Sequence, residues 1–331
     1  MNVAVLSAGT WGITLAALLH GKGHAVRVWE FSRAVVEEIS QSRKHPKLPG
    51  FDVPPDLALS TDMAWALQGA EAVVFVTPAA HLRETARRVA AAGYKGQRVV
   101  NCAKGIEQGT HALPVDVLRA ELGDVAEGRI GVLSGPSHAE EVCRGLPTAV
   151  AAAAPDLALA EWIRDLFMAP RFRVYTQTDM LGVELGGALK NVIAIACGVS
   201  DGLGFGDNAK AGLITRGLHE ILRLGMARGA RAETFFGLAG IGDLVVTCMS
   251  RHSRNWNYGN LLGKGVSPED ALAKVGMVVE GYHTVRAAVD LAAEAKIEMP
   301  ISQEVARVLF QGKSARDAVG ALMLRDPKQE M

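Results

Sequence analysis

The sequence contains little cysteine, few aromatic residues and no excess of either charge. Its 331 residues include 4 Cys, 5% aromatic residues, and 35 Lys and Arg against 35 Asp and Glu. A formal net charge of zero gives no general attraction for nucleic acid or for an anionic membrane surface. No uninterrupted apolar run reaches the ~18 residues of a membrane span, and no basic segment precedes the first apolar run. These absences predict a cytoplasmic protein that binds no nucleic acid and has no stable membrane association.

The cysteines are far apart in the sequence: Cys102, Cys143, Cys197 and Cys248. None belongs to a C-x-x-C pair, and none has a neighbouring histidine at metal-ligand spacing. Reduced, buried thiols are therefore the simplest interpretation, and we predict no metal site. At a typical domain size of ~100–200 residues, the length of the chain favours two domains.

A dinucleotide-binding turn is predicted near the start of the chain. Residues 3–6 form a short apolar run typical of a buried strand, and residues 13–20 continue with an apolar helical pattern. Between them the chain matches G-x-G-x-x-G, except that Ser7 replaces the first glycine. Gly9 lets the backbone approach a pyrophosphate, and Gly12 lets the helix pack closely. The N-terminus of that helix attracts negative charge.

The end of the second strand, predicted over residues 26–30, bears on the choice of cofactor. An acid at Glu30 can accept hydrogen bonds from the adenosine ribose and repel a 2′-phosphate, which favours NAD. Arg33 lies close by in the sequence and could bind that phosphate instead. An ordinary solvated strand end is the third interpretation of Glu30. We expect NAD or NADP as the cofactor, with NAD favoured by Glu30.

Strands and helices alternate through the rest of the first half, after a Pro- and Lys-rich stretch at residues 45–56 that is predicted to be a surface loop. The alternation predicts an α/β fold with a doubly wound, mostly parallel, Rossmann-type sheet. Ligands of such sheets bind beyond the carboxyl ends of the strands, where Thr77, Lys104 and Gly135 lie. Further strands are predicted at residues 72–76, 98–102, 130–133, 149–153 and 173–175.

Ser137 follows the strand that ends before Gly135. Ser137-His138-Ala139-Glu140 matches a capping box. In that motif the serine hydroxyl accepts a hydrogen bond from the backbone N–H of the glutamate, and the glutamate side chain accepts one from the backbone N–H of the serine. A contact with substrate is the other interpretation of Ser137. The two roles are compatible, because a helix N-terminus is itself an anion site.

No convincing strand follows Thr178, so the second domain is predicted to be all-helical. We place the boundary near Gln177, with a dinucleotide-binding domain at residues 1–177 and a substrate and catalytic domain at residues 178–331. The predicted helices cover residues 180–199, 210–228, 256–262, 268–274, 281–296, 301–310 and 315–322.

The first helix of this second domain carries a lysine among apolar neighbours. Residues 187–198 are almost all apolar or small, so the helix should be buried. Lys190 must then be paired with an anion, lie at a wet cleft or be neutral. Such settings suit a proton donor that works near neutral pH. The alternative is a lysine whose stem packs while its ammonium reaches water.

A second cluster of polar residues follows a Gly-rich, apolar stretch. Asp243 is the only charge within that stretch, and a buried aspartate requires a cationic partner. Lys190 is the candidate partner, whereas a cap on the next helix is the alternative role. Ser253, Arg254 and Asn255 come next, ahead of a short helix. They either supply donors for a phosphate at a helix N-terminus or form an ordinary solvated cap.

These features belong to a series of motifs that occur in one order along the chain. The set resembles the soluble NAD(P)-dependent glycerol-3-phosphate dehydrogenases of the bacterial type, and the resemblance covers essentially the whole chain. The motifs are Ala8-Gly9-Thr10-Trp11-Gly12, Lys104-Gly105, Gly135-Pro136-Ser137-His138-Ala139-Glu140-Glu141-Val142, Leu189-Lys190-Asn191-Val192, Gly240-Ile241-Gly242-Asp243-Leu244, Ser253-Arg254-Asn255 and Val279-Glu280-Gly281.

The resemblance implies an oxidoreductase that interconverts dihydroxyacetone phosphate and sn-glycerol 3-phosphate for phospholipid biosynthesis. It also implies a homodimer and a helical domain like that of 6-phosphogluconate dehydrogenase. Lys190 matches the family's catalytic proton donor, and Lys104, Asp243 and Asn191 match residues around the reacting carbonyl. Further matches to substrate contacts are Gly135, Ser137, Ser253, Arg254 and Asn255. Matches to cofactor contacts are Thr10, Trp11, Phe31, Lys104, Ala139, Arg254, Val278 and Glu280.

The chain departs from the family pattern at Ser7, where the family has glycine. If this position needs a positive φ, a serine costs ~1 kcal/mol or more, which bears on cofactor affinity.

Two alternative functions stay open. One is another two-domain reductase, of the β-hydroxyacid or 6-phosphogluconate type, which also carries a lysine on the first helix of its helical domain. The other is a non-catalytic dinucleotide sensor that arose from such an enzyme.

Overall fold

A computed structural model describes residues 1–327 and 329. The chain divides into two compact units, and each is described by itself. The first unit contains residues 1–104 and 112–184, and the second contains residues 105–111 together with the chain from residue 185 onward. The change of unit thus falls within a long helix that begins at Met180. The domain boundary at residues 177 and 178 stays a prediction.

The first unit alternates strands with helices, as the sequence predicts. Its strands are β1 (Asn2–Leu6), β2 (Ala25–Trp29), β3 (Ala58–Ser60), β4 (Ala72–Phe75), β5 (Arg98–Asn101), β6 (Ile130–Ser134), β7 (Thr148–Ala153) and β8 (Phe172–Gln177). Its helices are α1 (Thr10–Gly21), α2 (Arg33–Ser42), α3 (Met63–Leu67), α4 (Ala79–Ala91), α5 (Pro114–Leu122), α6 (Ala139–Val142) and α7 (Leu157–Phe167). The three-residue strand β3 is not among the strands predicted from the sequence.

The strands form one sheet in the order β3-β2-β1-β4-β5-β6-β7-β8. The pairs are parallel except for β6 and β7, where Leu133 lies opposite Ala152 in an antiparallel register. The first six strands have the order of a dinucleotide-binding fold. Every residue of β4 and of β6 is buried, as expected when helices cover both faces of a sheet. The predicted α/β, mostly parallel fold is confirmed.

The secondary structure of the second unit consists of helices, and its described residues form no strand. It contains most of α8 (Met180–Gly202), followed by α9 (Asp207–Ala227), α10 (Ala232–Phe235), α11 (Asp243–Met249), α12 (Arg254–Gly263), α13 (Pro268–Val275), α14 (Glu280–Glu294), α15 (Pro300–Phe310) and α16 (Ala315–Met323). A single π-helical segment, Leu238–Gly242, precedes α11. The prediction of an all-helical second half is confirmed.

Two helical stretches are long and apolar enough, by composition, to cross a membrane: Met180–Gly202 and Ala232–Met249. A core helix of a globular protein passes the same test. In the first stretch, 89% of the most apolar window is buried inside the fold. The second stretch is not a continuous helix, because Gly240 has a non-helical backbone with φ −99° and ψ −105°.

Helices α8 and α12 contact each other backbone to backbone through glycines. A Cβ on Gly198 of α8 would lie 2.1 Å from the Trp256 carbonyl oxygen, and one on Gly259 of α12 would lie 2.0 Å from the Ile195 carbonyl oxygen. Gly202 and Gly263 repeat the contact one turn further along each helix. Small residues at four-residue spacing allow this close approach. We call this contact between Gly198, Gly202, Gly259 and Gly263 the glycine seam. It brings the first turn of α12 beside the middle of α8.

We predict that Gly259→Ala destabilises the protein by about 3 kcal/mol or more, because the added methyl overlaps backbone atoms that cannot rotate away. The free energy of unfolding in urea measures the effect. The matched control is Gly212→Ala on α9, where a Cβ would meet nothing within 4 Å. That control should be neutral or stabilising by up to about 1 kcal/mol, since alanine favours helix. Equal effects of the two substitutions would contradict this account of the seam.

A buried glutamate caps helix α5 within the first unit. Glu184 accepts a hydrogen bond from the Val115 backbone N–H at 2.9 Å, in the first turn after Pro114. Burial raises the pKa of Glu184 to about 8, and the hydrogen bond from Val115 opposes that rise. The folded carboxyl therefore holds its proton at pH values where the unfolded one has lost it.

We expect Glu184→Gln to change how stability depends on pH. Because the folded pKa is raised, wild-type stability is present at low pH and is lost as pH rises toward about 8. The contribution of Glu184 to the loss between pH 6 and pH 8 should be about 2 kcal/mol, and the loss should be smaller by about that amount in the glutamine variant. Glu220, whose pKa burial raises to about 7, contributes to the remainder in both proteins. Urea unfolding at both pH values tests this, with Glu127→Gln at an exposed position as the control. A wild-type slope retained in Glu184→Gln would show that another group is responsible.

Candidate active site

The predicted dinucleotide turn joins β1 to α1 and contains a strained serine. Ser7 has φ +98°, a conformation that favours glycine and costs a side-chain-bearing residue about 1–3 kcal/mol. Gly9 is the N-cap of α1, and no side chain caps the helix. Gly12 is required for packing, since a Cβ there would lie 2.0 Å from the Ser7 carbonyl oxygen. The uncapped N-terminus of α1, which begins at Thr10 and Trp11, fits an anion such as a pyrophosphate.

The carboxylate of Glu30 lies against this turn. Its Oε2 accepts a hydrogen bond from the Ala8 backbone N–H at 2.7 Å, and its Oε1 accepts one from the Ser32 N–H at 3.1 Å. The Ser7 hydroxyl lies 3.5 Å from Oε2 and accepts a bond from the Gly9 N–H at 3.2 Å. Glu30 is therefore not a free, solvated strand end. The bonds fix its negative charge directly after β2, whereas its contact with a ribose stays a prediction.

His45 also holds the turn, and the sequence analysis missed it. Its Nε2 lies 3.1 Å from the Ala8 carbonyl oxygen, and its Nδ1 accepts a bond from the Lys47 N–H at 3.2 Å. These partners assign a neutral ring with the proton on Nε2. Burial lowers the pKa of His45, against a smaller rise caused by the bond to Ala8. The stretch 45–56 is thus more than a surface loop, since His45 and Leu48 are buried.

The other predicted cofactor residues of the first unit differ in exposure. Phe31 is 68% exposed, and the guanidinium of Arg88 lies 5.0 Å from the centre of its ring. Arg33 is exposed at the start of α2, and Ala139 is buried at the start of α6.

Lys104 and Gly135 come together at the carboxyl edge of the sheet. Asn101, the last residue of β5, bonds both backbone groups of Ala103 and so turns the chain after the strand. Because β5 and β6 are parallel neighbours, the segments that follow them meet, and the Lys104 ammonium donates to the Gly135 carbonyl at 3.1 Å. Only glycine fits at Gly135, where φ is +143° and a Cβ would lie 2.9 Å from Val150 Cα.

The capping box predicted at Ser137 is wrong. Helix α6 begins at Ala139 with His138 as its N-cap, and no side chain caps it. The Ser137 hydroxyl instead donates to the Gly135 carbonyl at 3.0 Å. The helix is only one turn long, and the bent segment 135–137 places the serine one residue too early to cap it. Ser137 therefore shares a carbonyl acceptor with Lys104.

In the second unit, glycines bring the start of α11 against α8. A Cβ on Gly186 would lie 2.6 Å from the Ala239 carbonyl oxygen, and one on Gly240 would lie 2.1 Å from the Phe235 carbonyl oxygen. The Gly-rich stretch is therefore compact backbone, folded as the π-helical segment. The π-helical segment ends at Gly242, and Asp243 begins α11 beside α8.

The predicted contact between Lys190 and Asp243 is present. The Lys190 ammonium lies 3.0 Å from Asp243 Oδ1, and the two side chains are 8% and 3% exposed. It also donates to the Thr247 hydroxyl at 2.6 Å, and that hydroxyl donates to the Asp243 carbonyl at 2.6 Å. Lys190 is thus held by anionic and polar partners, and its ammonium does not extend to bulk water. Asp243 is not a helix cap, since Gly242 is the N-cap of α11.

Thr247 was missed by the sequence analysis, although a signal existed. It lies four residues after Asp243 on α11 and therefore on the same face of the helix. A threonine at that spacing from a buried acid, within an apolar helix, is a candidate partner for the same cation.

Asn191 and Asn255 form a second polar contact next to the ion pair. Asn255 Nδ2 donates to Asn191 Oδ1 at 2.9 Å, and Asn255 Oδ1 accepts from the Gly281 N–H at 2.9 Å. Both asparagines are buried. The structure therefore turns the Asn255 side chain toward α8 and α14.

The remaining residues of the predicted phosphate cluster play different parts. Ser253 is the N-cap of α12 and accepts a bond from the Trp256 N–H at 3.2 Å, so the helix-cap interpretation holds for its hydroxyl. Arg254, the first residue of α12, is exposed.

The predicted cofactor residues of the second unit lie at the start of α14. Val278 and Glu280 are half-buried on either side of Val279, the N-cap of α14. No cluster of His, Cys, Asp and Glu side chains among the described residues could hold a metal ion.

Two protein-family models match the chain. The model described as NAD-dependent glycerol-3-phosphate dehydrogenase N-terminus matches residues 2–160, and the model of the C-terminus matches residues 179–320. The chain belongs to the NAD-dependent glycerol-3-phosphate dehydrogenase family. The resemblance drawn from the motifs is confirmed, and membership of this family decides against the alternative two-domain reductases.

Members of the glycerol-3-phosphate dehydrogenase family are similar to the chain along its full length. The glycerol-3-phosphate dehydrogenase (NAD(P)+) of Geobacillus thermodenitrificans is 49% identical over 332 residues, which cover 100% of this chain and 96% of that protein. The crystal structure of glycerol-3-phosphate dehydrogenase (gpsA) from Coxiella burnetii is 38% identical, with a TM-score of 0.92 over 98% of both chains. The yeast enzyme GPD1 is 26% identical, with a TM-score of 0.80 over 97% of this chain and 98% of that one.

We predict that Glu30 braces the strained turn, so that Glu30→Gln destabilises the protein by about 1–2 kcal/mol. A glutamine has one acceptor oxygen for the two N–H donors, and its amide nitrogen must face one of them. The same substitution at exposed Glu37, on α2, is the control and should cost little. Urea unfolding measures both.

A double-mutant cycle with Ser7→Gly tests the link to the strain. The cost of Glu30→Gln should be smaller when Ser7→Gly is also present, since glycine adopts φ +98° without strain. An equal cost with and without Ser7→Gly would separate Glu30 from the conformation of Ser7.

Proposed function

We propose that this chain is an NAD(P)-dependent sn-glycerol-3-phosphate dehydrogenase. It would transfer hydride between the nicotinamide cofactor and dihydroxyacetone phosphate or sn-glycerol 3-phosphate. The observation that carries the proposal is the buried Lys190, paired with Asp243 and bonded to Thr247. A pair of buried charges is costly, and a lysine held in this way suits proton transfer to a developing alkoxide. Membership of the family supplies the substrate class.

The cofactor fits the first unit. The uncapped N-terminus of α1 offers N–H groups to a pyrophosphate, and the fixed carboxylate of Glu30 supports a preference for NAD over NADP. Thr10, Trp11, Phe31, Ala139, Val278 and Glu280 are proposed as further cofactor contacts. The bound nicotinamide supplies the hydride, and the protein supplies position and charge.

In the reductive direction, an oxyanion develops on the carbonyl oxygen of the substrate. We assign its protonation to Lys190, which Asp243 and Thr247 hold in place. Lys104 is proposed to add positive charge, because its ammonium is already directed by the Gly135 carbonyl. Gly135 and Ser137 are proposed as further substrate contacts. Stabilising charge where it develops is a large catalytic effect when the donors are fixed in advance.

The phosphate of the substrate is assigned to the N-terminus of α12. Arg254 is exposed there and can form charge-assisted bonds to a phosphate, and the helix N-terminus adds N–H donors. Ser253 and Asn255 contribute to this subsite through their backbones, since their side chains already have partners within the second unit. Holding the phosphate fixes the reacting carbonyl in place.

The cellular role follows from the reaction. We propose a cytoplasmic homodimer whose product, sn-glycerol 3-phosphate, supplies phospholipid biosynthesis, with neither nucleic acid nor a membrane as a stable partner.

We expect NADH oxidation when dihydroxyacetone phosphate is added to the wild-type protein, followed at 340 nm and repeated with NADPH. Lys190→Ala should lower kcat by about 10²–10⁴-fold, because it removes the group assigned to protonate the oxyanion. The Kd for NADH, measured by fluorescence titration, should stay close to the wild-type value. A kcat near that of the wild type would remove Lys190 from the mechanism.

A second variant controls for the possibility that Lys190→Ala misfolds. Removing Lys190 alone leaves the carboxylate of Asp243 buried without its partner, which is strongly destabilising. The double substitution Lys190→Ala with Asp243→Asn removes both charges and should restore folding without restoring activity. If the wild type binds NADH but turns over with neither cofactor, the non-catalytic sensor becomes the better interpretation.

A further inference from the structure

A seven-residue segment of the second unit interrupts the first unit in the sequence. Residues 105–111, which we call the strap, belong to the second unit, whereas Lys104 before the strap and Ala112 after it belong to the first. The strap forms neither helix nor strand, so its position depends on the contacts that it makes. Through the peptide bond to Gly105, a shift of the strap acts directly on Lys104.

The strap lies along one face of helix α14. Gln108 Nε2 is 3.2 Å from His283 Nδ1, and His111 Nε2 is 3.3 Å from Asp290 Oδ2. His111 Nδ1 is 3.6 Å from Glu294 Oε1. The three α14 residues are seven and four positions apart in the sequence, a spacing that places them on one side of a helix. Two side chains of the strap therefore meet a single stripe of α14.

Both ring nitrogens of His111 face carboxylate oxygens. A neutral imidazole has one N–H, and its other nitrogen is an acceptor. An ionised carboxylate only accepts hydrogen bonds, so a neutral ring would direct a lone pair at either Asp290 or Glu294. The imidazolium has an N–H for each carboxylate and a positive charge between two negative ones. The two contacts are therefore complete only when the ring is protonated.

The backbone of His111 holds the ring in this place. Its φ is +58°, a left-handed conformation that few non-glycine residues adopt and in which histidine is enriched. Its N–H donates to the Glu107 carbonyl at 3.1 Å, which closes a turn within the strap. Such a conformation persists where the surroundings over-determine it. The His111 side chain is 23% exposed, so its ring can exchange protons with water.

We propose that His111 is a positioning residue whose protonated ring ties the strap to α14 and thereby restrains Lys104. We call His111, Asp290 and Glu294 the histidine clamp. The proposal rests on the proposed function, which assigns Lys104 to the substrate carbonyl. Because a histidine side chain changes its charge between about pH 5 and pH 8, the clamp is closed at the acidic end of that range and open at the alkaline end. Charged donors act best when they are fixed in advance, so Lys104 should be most effective when the clamp is closed.

Five other charged or titratable side chains lie on the strap and on α14: Glu107, Glu280, Tyr282, His283 and Arg286. The guanidinium carbon of Arg286 lies 3.8 Å from the centre of the Phe310 ring. His283 lies against Gln108, whose amide can turn its nitrogen toward a neutral ring or its oxygen toward a protonated one. All five side chains are the same in the wild type and in a variant at position 111, so the ratio of the two activities reports on His111.

His111→Asn opens the clamp at every pH. Asparagine tolerates the left-handed conformation and is neutral, so the substitution removes the charge without straining the backbone. We expect kcat/KM for dihydroxyacetone phosphate, measured with NADH, to fall about 3- to 10-fold at pH 6, the scale of two partly exposed ion pairs. At pH 8.5 the wild-type ring is itself neutral, and the two proteins should agree within about twofold. A ratio that does not change with pH would assign His111 a merely structural role and overturn the proposal.

His20→Asn is the matched control. His20 Nε2 also lies against a carboxylate, 3.0 Å from Asp56 Oδ1, but it is in the last turn of α1 and outside the strap. Its kcat/KM relative to that of the wild type should stay near one at both pH values. The same dependence on pH in this control would remove the effect from the strap.

The carboxylates of the clamp provide a second test. Asp290→Asn combined with Glu294→Gln removes both partners of His111 at side chains that are 58% and 62% exposed, so the protein should fold. This variant should lose as much kcat/KM at pH 6 as His111→Asn does, and adding His111→Asn to it should cause no further loss. Additive losses would show that the histidine and the carboxylates act separately, contrary to the proposal.

Hydrogen exchange tests the clamp without turnover. In the wild type, the protection of the His111 backbone N–H, corrected for the intrinsic exchange rate, should fall about 3- to 10-fold between pH 6 and pH 8.5. In His111→Asn the N–H at position 111 should have the lower protection at both pH values. Wild-type protection that does not depend on pH would overturn the proposal. If protection changes as expected but the wild type does not oxidise NADH with dihydroxyacetone phosphate, the clamp is supported and the proposed function is refuted, so the two failures are distinguishable.

Discussion

The buried contact between the Lys190 ammonium and the Asp243 carboxylate constrains how α8 and α11 pack in the second unit. Taking two charges out of water costs several kcal/mol per ion, and only good geometry with further hydrogen bonds offsets that cost. Thr247 supplies such a bond. Glycines at positions 186 and 240 allow the backbones to approach closely enough for the pair to form. A better-packed apolar pair would stabilise a helical core at least as well, so the charges indicate chemistry rather than stability.

The dinucleotide turn of the first unit likewise contains a costly feature that the surrounding contacts hold in place. Ser7 holds a conformation that a glycine would adopt without cost, and the surroundings oppose its relaxation. Glu30 bonds one backbone group of Ala8, and His45 bonds the other. A strained residue persists only where its neighbours over-determine its conformation. The turn therefore has a fixed shape before any anion reaches it.

The sequence was sufficient for the features that depend on local pattern. The strand–turn–helix opening, the all-helical second half and the pairing of Lys190 with Asp243 follow from periodicity and from the cost of a buried charge. Strand β3 was missed because three residues carry too little pattern. The capping box at Ser137 failed because spacing alone does not show where a helix starts. His45 and the orientation of Asn255 depend on contacts between distant segments, here with Ala8 and with Gly281, which no local pattern encodes.

The glycine seam between α8 and α12 has a consequence for how the second unit responds to pressure. Side chains in most helix interfaces can change rotamer and so absorb small shifts. At this seam the backbones themselves touch, so a change of rotamer cannot absorb a shift there. The separation of the two helices is thus set by van der Waals radii. Asn191 and Asn255 should keep their spacing under hydrostatic compression, while regions with looser packing shrink around them.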